Sequence, residues 1–159
     1  SMPDRTYSQQ AAVITDWAFD RAKYRVSRST FESADLAHWL ALEIADLALQ
    51  DAAFMPPQGS TGVIVGNTLT GDSSRAASLR LRWPYVRRAA IEAGIDGEAL
   101  KRLEQTFNEP FVAIGEDSLA GGLSNTIAGR ICNYFGFNGG GYTVDGACSS
   151  SMMYGASSR

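Results

Sequence analysis

The sequence predicts an α/β fold, because two short strand-like runs alternate with segments of helical periodicity. The runs TGVIVG (61–66) and GYTVDGA (141–147) are bounded by turn residues and carry valine, which favours strands. Each run follows a stretch in which apolar residues recur at helical spacing. Strands that alternate with helices are typical of α/β layers, and 159 residues suffice for one domain with a core.

The first predicted helix is the segment DLAHWLALEIADLALQDAAF, which starts at Asp35. Ser33 or Asp35 can cap its first turn, and the turn-forming PPQG at 56–59 is expected to end it. Its apolar residues recur every three or four positions, at Leu36, Leu40, Ile44 and Leu47. Residues 1–32 show no sustained period, and we interpret them as an irregular N-terminal arm with short strand-like pieces.

Two further helical regions follow the first strand. Residues 72–106 have a mostly helical composition, with breaks expected near Trp83 and around Gly94–Gly97. A second strong helix is predicted to begin near Ser124 and to end at Gly136, where glycine is a common helix terminator. The apolar face of that helix carries Ile127, Ile131 and Tyr134 or Phe135.

The composition narrows the class of protein. A chain with 45% hydrophobic and 19% charged residues is expected to be folded and soluble. It contains no apolar run of the roughly 18 residues that span a bilayer, and its first residues do not have the pattern of a secretory signal. A net charge of −3 argues against nucleic acid as a main partner. Two cysteines and one histidine make neither a disulfide framework nor a zinc site, so we predict a reducing, cytoplasmic location.

The loop after the first strand has the outline of a phosphate-binding motif without its lysine. The segment GNTLTGDS runs from Gly66 to Ser73 and places Asp72 where that motif requires lysine. Because Asp72 would repel phosphates, we interpret the glycines as residues of a tight turn.

Three other features have an ordinary structural interpretation beside a functional one. His38 lies within the first helix, and we interpret it as structural rather than as a catalytic base. Cys132 lies in the apolar segment IAGRICNYF and is expected to be a small buried residue. An arginine cluster can dock an acidic partner, although such a run is more often the solvated face of a helix. The cluster consists of Arg75, Arg80, Arg82, Arg87 and Arg88.

Cys148 is the candidate nucleophile, in the segment TVDGACSSSMM (143–153). A strand, a short Asp-Gly-Ala link and a run of small residues predict a sharp strand-to-helix turn, similar in plan to a nucleophile elbow. Amide groups at the start of a helix favour an anion, and the thiolate is the reactive form of cysteine. The same amides can hold an oxyanion, and small neighbours let a substrate approach. The alternative is a buried cysteine at a packed strand end, and the spacing leaves both interpretations open.

The segment GGYTVDGACSSS resembles the active-site region of β-ketoacyl synthases, the condensing enzymes of fatty-acid and polyketide synthesis. The preceding SNTIAGRICNYFGFNGGGYTVD is similar to the family's helix and entry strand, and LALEIADLALQDAAF with GVIVGNTLTG is similar to its early helix and next strand. The resemblance covers about residues 15–158. The segments VGNTLTGDSSRAASLRLRWPYVRRA and LAGGLSNTIAGRICNYF look most like the ketosynthase of iterative type I polyketide synthases of the enediyne class, with polyunsaturated fatty acid synthases next.

The resemblance implies a thiolase-like fold of layered α-β-α-β-α architecture and a homodimer. It implies that Cys148 accepts an acyl chain from the phosphopantetheine arm of an acyl carrier protein, with no cofactor bound directly. A malonyl unit on a second carrier then loses carbon dioxide and attacks the acyl-enzyme. The alternatives are a fatty-acid-type ketosynthase, a thiolase or a ketosynthase-like subunit without catalytic activity.

The resemblance also implies two histidines and a lysine downstream of the cysteine, and no histidine follows Cys148 here. Residues 1–159 are therefore expected to be a partial ketosynthase domain, roughly its N-terminal half. We expect such a piece to be inactive alone, and to be stable only with the rest of the domain or as a tight oligomer.

Overall fold

Two parallel strands and the helices packed on them position the segment that carries Cys148. The computed structural model describes residues 8–53, 61–68 and 71–153. Strand β1 (Val63–Gly66) pairs in parallel with β2 (Gly141–Val144), with Val63 opposite Gly141 and Gly66 opposite Val144. Because the strands are parallel, the carboxyl ends of both lie at the same edge of the sheet.

The helices account for most of the regular structure. They are α1 (Arg28–Ser33), α2 (Leu36–Asp51), α3 (Asp72–Leu81), α4 (Trp83–Glu92), α5 (Gly97–Asn108), α6 (Ser118–Gly121), α7 (Asn125–Phe135) and α8 (Ser150–Met153), with a 3₁₀ turn at Ala147–Ser149 before α8. This mixture of helices with a small parallel sheet confirms the predicted α/β class, while the five-layered arrangement stays a prediction. Within the described ranges, we find no helix with both the length and the apolar character needed to cross a membrane.

The core lies between α2, α7 and the sheet. Tyr24, Leu42 and Ile131 are buried at its centre. Around them pack partly buried apolar residues of the arm, of both β1 and α2, and of the segment after α7, among them Phe19, Val26, Val63, Val65 and Phe137. The predicted apolar face of α7 is confirmed, since Ile127 and Ile131 are buried. Gly136 ends that helix in the left-handed conformation, with φ at 69°, as its position predicted.

The helix α2 forms as predicted, but most of the residues whose spacing predicted it do not face the core. The carboxylate of Asp35 caps the first turn by accepting a hydrogen bond from the amide of Ala37. Trp39 and Leu42 are buried, whereas the repeating apolar residues are largely exposed: Leu36 (44%), Ile44 (61%) and Leu47 (56%). The PPQG segment expected to end the helix lies outside the described residues, and α2 ends at Asp51.

The arm differs from the sequence expectation. Residues 8–32 contain no strand, and α1 begins at Arg28 within the segment interpreted as irregular. Aromatic rings hold the arm on α2: the ring of Phe19 stacks on Tyr24 at 4.9 Å and on Phe31 at 5.8 Å, and it contacts Trp39 at 5.3 Å. Such contacts join residues far apart in the sequence, so they leave no local periodicity to detect.

The helical middle of the chain breaks where the sequence predicted. Pro84 lies in the first turn of α4, where its missing N–H costs nothing. Gly94 and Gly97 have φ angles of 83° and 52° and connect α4 to α5. Trp83 is buried, and its ring packs on Phe107 at 5.4 Å, which fixes the two helices against each other.

Candidate active site

Cys148 lies in a sharp bend at the carboxyl end of β2. The strand ends at Val144, and Cys148 is the central residue of the 3₁₀ turn Ala147–Ser149, with α8 directly after it. Its thiol is free and its side chain is exposed. The predicted change of direction after the strand is confirmed, but the cysteine stands in a 3₁₀ turn rather than in the first turn of an α-helix.

Hydroxyl groups of the serine run stabilise this bend. The Ser150 side chain is buried; it accepts a hydrogen bond from the amide of Gly146 at 3.0 Å and donates one to the carbonyl of Ala147 at 2.7 Å. The Ser149 hydroxyl donates to the carbonyl of Gly146 at 2.7 Å. The serines therefore hold the loop in shape, a role that the sequence analysis did not assign to them.

Asp145 completes the bend from the strand side. Its Oδ1 accepts a hydrogen bond from the amide of Ala147 at 3.0 Å, the pattern of an Asx turn. An aspartate two residues before a turn position is the sequence signal that could have identified this contact. Ala147 has a φ of 50°, a left-handed conformation that costs a non-glycine residue about 1–2 kcal/mol. The surrounding hydrogen bonds offset that strain and present the thiol outward.

The expectation that amides of this bend hold an oxyanion is not supported for three of them. The N–H groups of Gly146, Ala147 and Ser149 already donate within the bend, to Ser150, Asp145 and Gly146 respectively. What the geometry provides is an accessible sulfur on a rigid support, bordered by small side chains.

Cys132 has a different environment. It lies on α7, is half-buried rather than buried as expected, and its Sγ donates to the carbonyl of Gly140 at 3.6 Å. The reason is its position at the other end of β2, where α7 turns into the strand. This thiol has a partner and limited access, so it is a poor competitor for reagents that reach Cys148.

His38 is fully buried between α2 and α7, as its structural interpretation predicted. Its Nδ1 accepts a hydrogen bond from Nε of Arg130 at 3.2 Å. Burial, together with the charge of Arg130, lowers the pKa of His38 to about 4, against opposing effects of Asp35 and the Gly121 carbonyl. The ring is therefore neutral at pH 7, and no contact among the described residues joins it to Cys148.

The loop with the outline of a phosphate site is instead bonded to a carboxylate of the protein. Asp35 Oδ2 accepts from the amide and the hydroxyl of Ser74, in the first turn of α3, at 3.5 and 3.4 Å. A Cβ on Gly71 would overlap this carboxylate, which explains the glycine. The turn interpretation of the glycine is supported here, although residues 69 and 70 lie outside the described part. No group of metal ligands occurs within the described ranges.

Two arginines of the cluster serve structural roles. Arg80 donates from Nη1 to the carbonyls of Asn108 at 3.2 Å and Phe111 at 3.1 Å, which ties α3 to the end of α5. Arg88 pairs with Glu92 one turn later at 2.9 Å, a surface pair of small energetic value.

The other three arginines, Arg75, Arg82 and Arg87, are exposed and have no ion pair within the residues that the structure describes; we call them the arginine surface. The guanidinium of Arg82 lies 5.8 Å from the ring centroid of Tyr85, which is itself 70% exposed. Residues 72–91 hold five arginines and a single acidic residue, although the whole chain has a net charge of −3. The positive charge is therefore concentrated on this part of the molecule.

Comparison with known proteins places these features in a family. The family model for the β-ketoacyl synthase N-terminal domain matches residues 1–158. The chain is 28% identical over 153 residues to one component of the polyunsaturated fatty acid synthase of a Thraustochytrium species, which covers 94% of this chain and 5% of that protein. It is 36% identical over 121 residues to erythronolide synthase EryA2 of Saccharopolyspora erythraea, with coverage of 66% and 3%. No solved structure gives a significant match.

Proposed function

Because this chain belongs to the β-ketoacyl synthase family, whose fold is thiolase-like, we propose that it forms the acyl-accepting part of a ketosynthase and that Cys148 is the nucleophile. Both relatives are synthases, and the chain spans only 5% and 3% of their lengths. The observation that carries the assignment to Cys148 is its exposed thiol on the bend after β2.

The proposed first step is transfer of an acyl group from an acyl carrier protein. The sulfur of Cys148 attacks the thioester carbonyl on the carrier's phosphopantetheine arm, and a new S–C bond forms as the carrier's S–C bond breaks. The thiol proton of Cys148 ends on the departing pantetheine sulfur. Covalent catalysis of this kind divides one difficult condensation into two easier steps.

In the proposed second step, a malonyl group on another carrier loses carbon dioxide. The resulting enolate carbon attacks the acyl carbonyl, a C–C bond forms, and Cys148 leaves as the thiolate. The only histidine of this sequence is the buried His38, so we assign to the present residues the acyl transfer and not the decarboxylation.

For the finer class we propose an iterative type I synthase, of the enediyne or polyunsaturated fatty acid type. In support, the polyunsaturated fatty acid synthase component aligns with 94% of the chain, and the resemblance of residues 65–89 is to these classes. A homodimer without a directly bound cofactor, in the cytoplasm, remains our prediction for the whole protein.

The arginine surface is the proposed landing place of the acyl carrier protein. An acidic partner is attracted to unpaired exposed cations, and the neighbouring Tyr85 adds an apolar contact. The structural interpretation of the cluster accounts for Arg80 and Arg88 but leaves these three side chains without a role.

The acyl-transfer proposal is tested by incubating the chain with hexanoyl-pantetheine and measuring intact mass. We expect one hexanoyl group, mapped by peptide analysis to Cys148 and absent from Cys148→Ser. Cys132→Ser is the matched control and should be labelled like the original chain. Labelling at Cys132, or at neither cysteine, would reject the nucleophile and favour a non-catalytic member of the family.

Docking is tested with hexanoyl carrier protein as the donor. The triple variant Arg75→Gln, Arg82→Gln and Arg87→Gln should be acylated about tenfold more slowly, as expected for the loss of three rim charges of about 0.5 kcal/mol each. A control that loses the same charge elsewhere, Arg28→Gln, Lys101→Gln and Arg102→Gln, should change little. Hexanoyl-pantetheine should acylate all three proteins equally. Equal rates with the carrier would reject docking while leaving Cys148 as nucleophile.

A further inference from the structure

A cavity lies away from Cys148, between the arm, α2 and the C-terminal half of α7. Its volume is about 710 Å³. Lys23, Tyr24, Arg25, Trp39, Asp46 and Arg130 are among the residues that line it. The hydroxyl of Thr143, near the end of β2, donates to the carbonyl of Ser124, so the segment with Cys148 follows the strand end beside the start of α7. The cavity is therefore separate from the proposed active site.

The cavity wall has more positive than negative charge. Asp46 is already satisfied: Lys23 pairs with it at 2.6 Å, and the hydroxyl of Tyr24 donates to it at 2.9 Å. Arg130 is half-buried and has no carboxylate within ion-pair distance in the part of the chain that the structure describes. Burial lowers the pKa of Arg130, and Asp117 opposes that effect from beyond contact distance. Arg25 adds an exposed cation to the wall.

The guanidinium of Arg130 is held in place by neutral groups. Its Nε donates to the ring of His38 at 3.2 Å, and it lies 4.9 Å from the ring centroid of Trp39. Its two terminal amino groups make no hydrogen bond to any residue of the described ranges. A guanidinium that is partly desolvated without a counter-ion is costly, and its planar fork matches the geometry of a carboxylate.

We propose that this cavity binds a small organic carboxylate, whose charged end pairs with Arg130 and whose apolar body lies against the aromatic wall. Tyr24, Tyr134 and Phe135 supply that wall together with Leu42. An ion pair of this kind inside a pocket is a strong, charge-assisted contact. The site is independent of the acyl transfer proposed for Cys148.

The first test compares benzoate with benzamide, which has nearly the same shape and no charge, by calorimetric titration of the full chain. We expect benzoate to bind at least tenfold more tightly, because benzamide cannot form the ion pair. Equal affinity of the two, or no binding of benzoate at 10-millimolar levels (roughly the weakest range that a single ion pair supports), would overturn the proposal. Inorganic phosphate that binds as tightly as benzoate would overturn the assignment to organic carboxylates.

The second test locates the site. Arg130→Gln should reduce benzoate affinity about tenfold or more, whereas Arg87→Gln, with the same loss of charge on the arginine surface, should leave it unchanged. Unchanged affinity in Arg130→Gln would overturn the assignment. Should Arg130→Gln fail to fold, Lys101→Gln and Arg25→Gln provide a second pair, in which only the Arg25 variant weakens benzoate binding. Equal affinity of that pair would also overturn it.

Discussion

The two ends of β2 each have a cysteine nearby, and the structure treats these cysteines differently. Before the strand, Cys132 is half-buried and donates to the Gly140 carbonyl, in a turn whose left-handed positions are the glycines Gly136 and Gly140. After the strand, Cys148 is exposed, and the left-handed position beside it is Ala147. The relaxed turn encloses its thiol, whereas the strained turn presents its thiol to solvent. Backbone strain held in place by surrounding bonds is frequent at functional sites.

The strongest way to break this comparison is to remove the buried hydroxyl of Ser150. Ser150→Ala leaves the amide of Gly146 without its acceptor, which should lower the free energy of unfolding by about 1–3 kcal/mol and slow acylation of Cys148. Urea melts and the rate of reaction with hexanoyl-pantetheine measure both effects. Ser149→Ala is the control: the carbonyl of Gly146 still accepts the amide of residue 149, so a smaller loss is expected. Equal effects of the two variants would contradict the role of Ser150.

A pair of substitutions at the left-handed positions sharpens the contrast. Gly140→Ala introduces strain at a φ of 85° and should destabilise the protein by about 1–2 kcal/mol. Ala147→Gly removes strain at a φ of 50° while adding flexibility to the unfolded chain, so its stability should change by less than about 1 kcal/mol.

The functional outcome of the pair should be the reverse of the stability outcome. Ala147→Gly loosens the support of Cys148 and should slow acylation, whereas Gly140→Ala should leave the acylation rate of the folded protein unchanged. Comparable acylation by Ala147→Gly and the original chain would show that the strain has no part in presenting the thiol.

The smallest effect concerns the interior of α7, where pH distinguishes His38 from the exposed bend. Its pKa is about 4 when folded and near 6.5 when unfolded, so the unfolded chain binds the extra proton between these values. Stability from this residue is complete above pH 6.5 and is lost as the pH falls toward 4. Urea melts at several pH values should show a shallower dependence for His38→Gln than for the original chain. Parallel curves would contradict the shift.

Local patterns in the sequence predicted the regular elements well. Ser124 and Gly136 bracket α7 as expected, and the breaks near Trp83 and Gly94–Gly97 coincide with helix ends. Each of these signals depends on the backbone preference of one residue or on spacing within one helix. The bend at Cys148 was predicted for the same reason, from a strand followed by small residues.

Contacts between distant residues were not predictable from such patterns. The packing of Phe19 on Trp39 joins the arm to α2, and it turns the predicted apolar residues Ile44 and Leu47 toward solvent. The serine hydroxyls at the bend and the contact of Arg130 with His38 also depend on side-chain positions that no periodicity specifies.

The single carboxylate of Asp35 bonds to the first turns of both α2 and α3, and Gly71 leaves it the room to do so. Positions 35 and 71 should therefore vary together during evolution. A bulkier residue at 71 is tolerable only once residue 35 has become shorter, and that exchange would fray two helices at the same time. The alternative routes through sequence space are narrow here, even though neither residue takes part in the proposed chemistry.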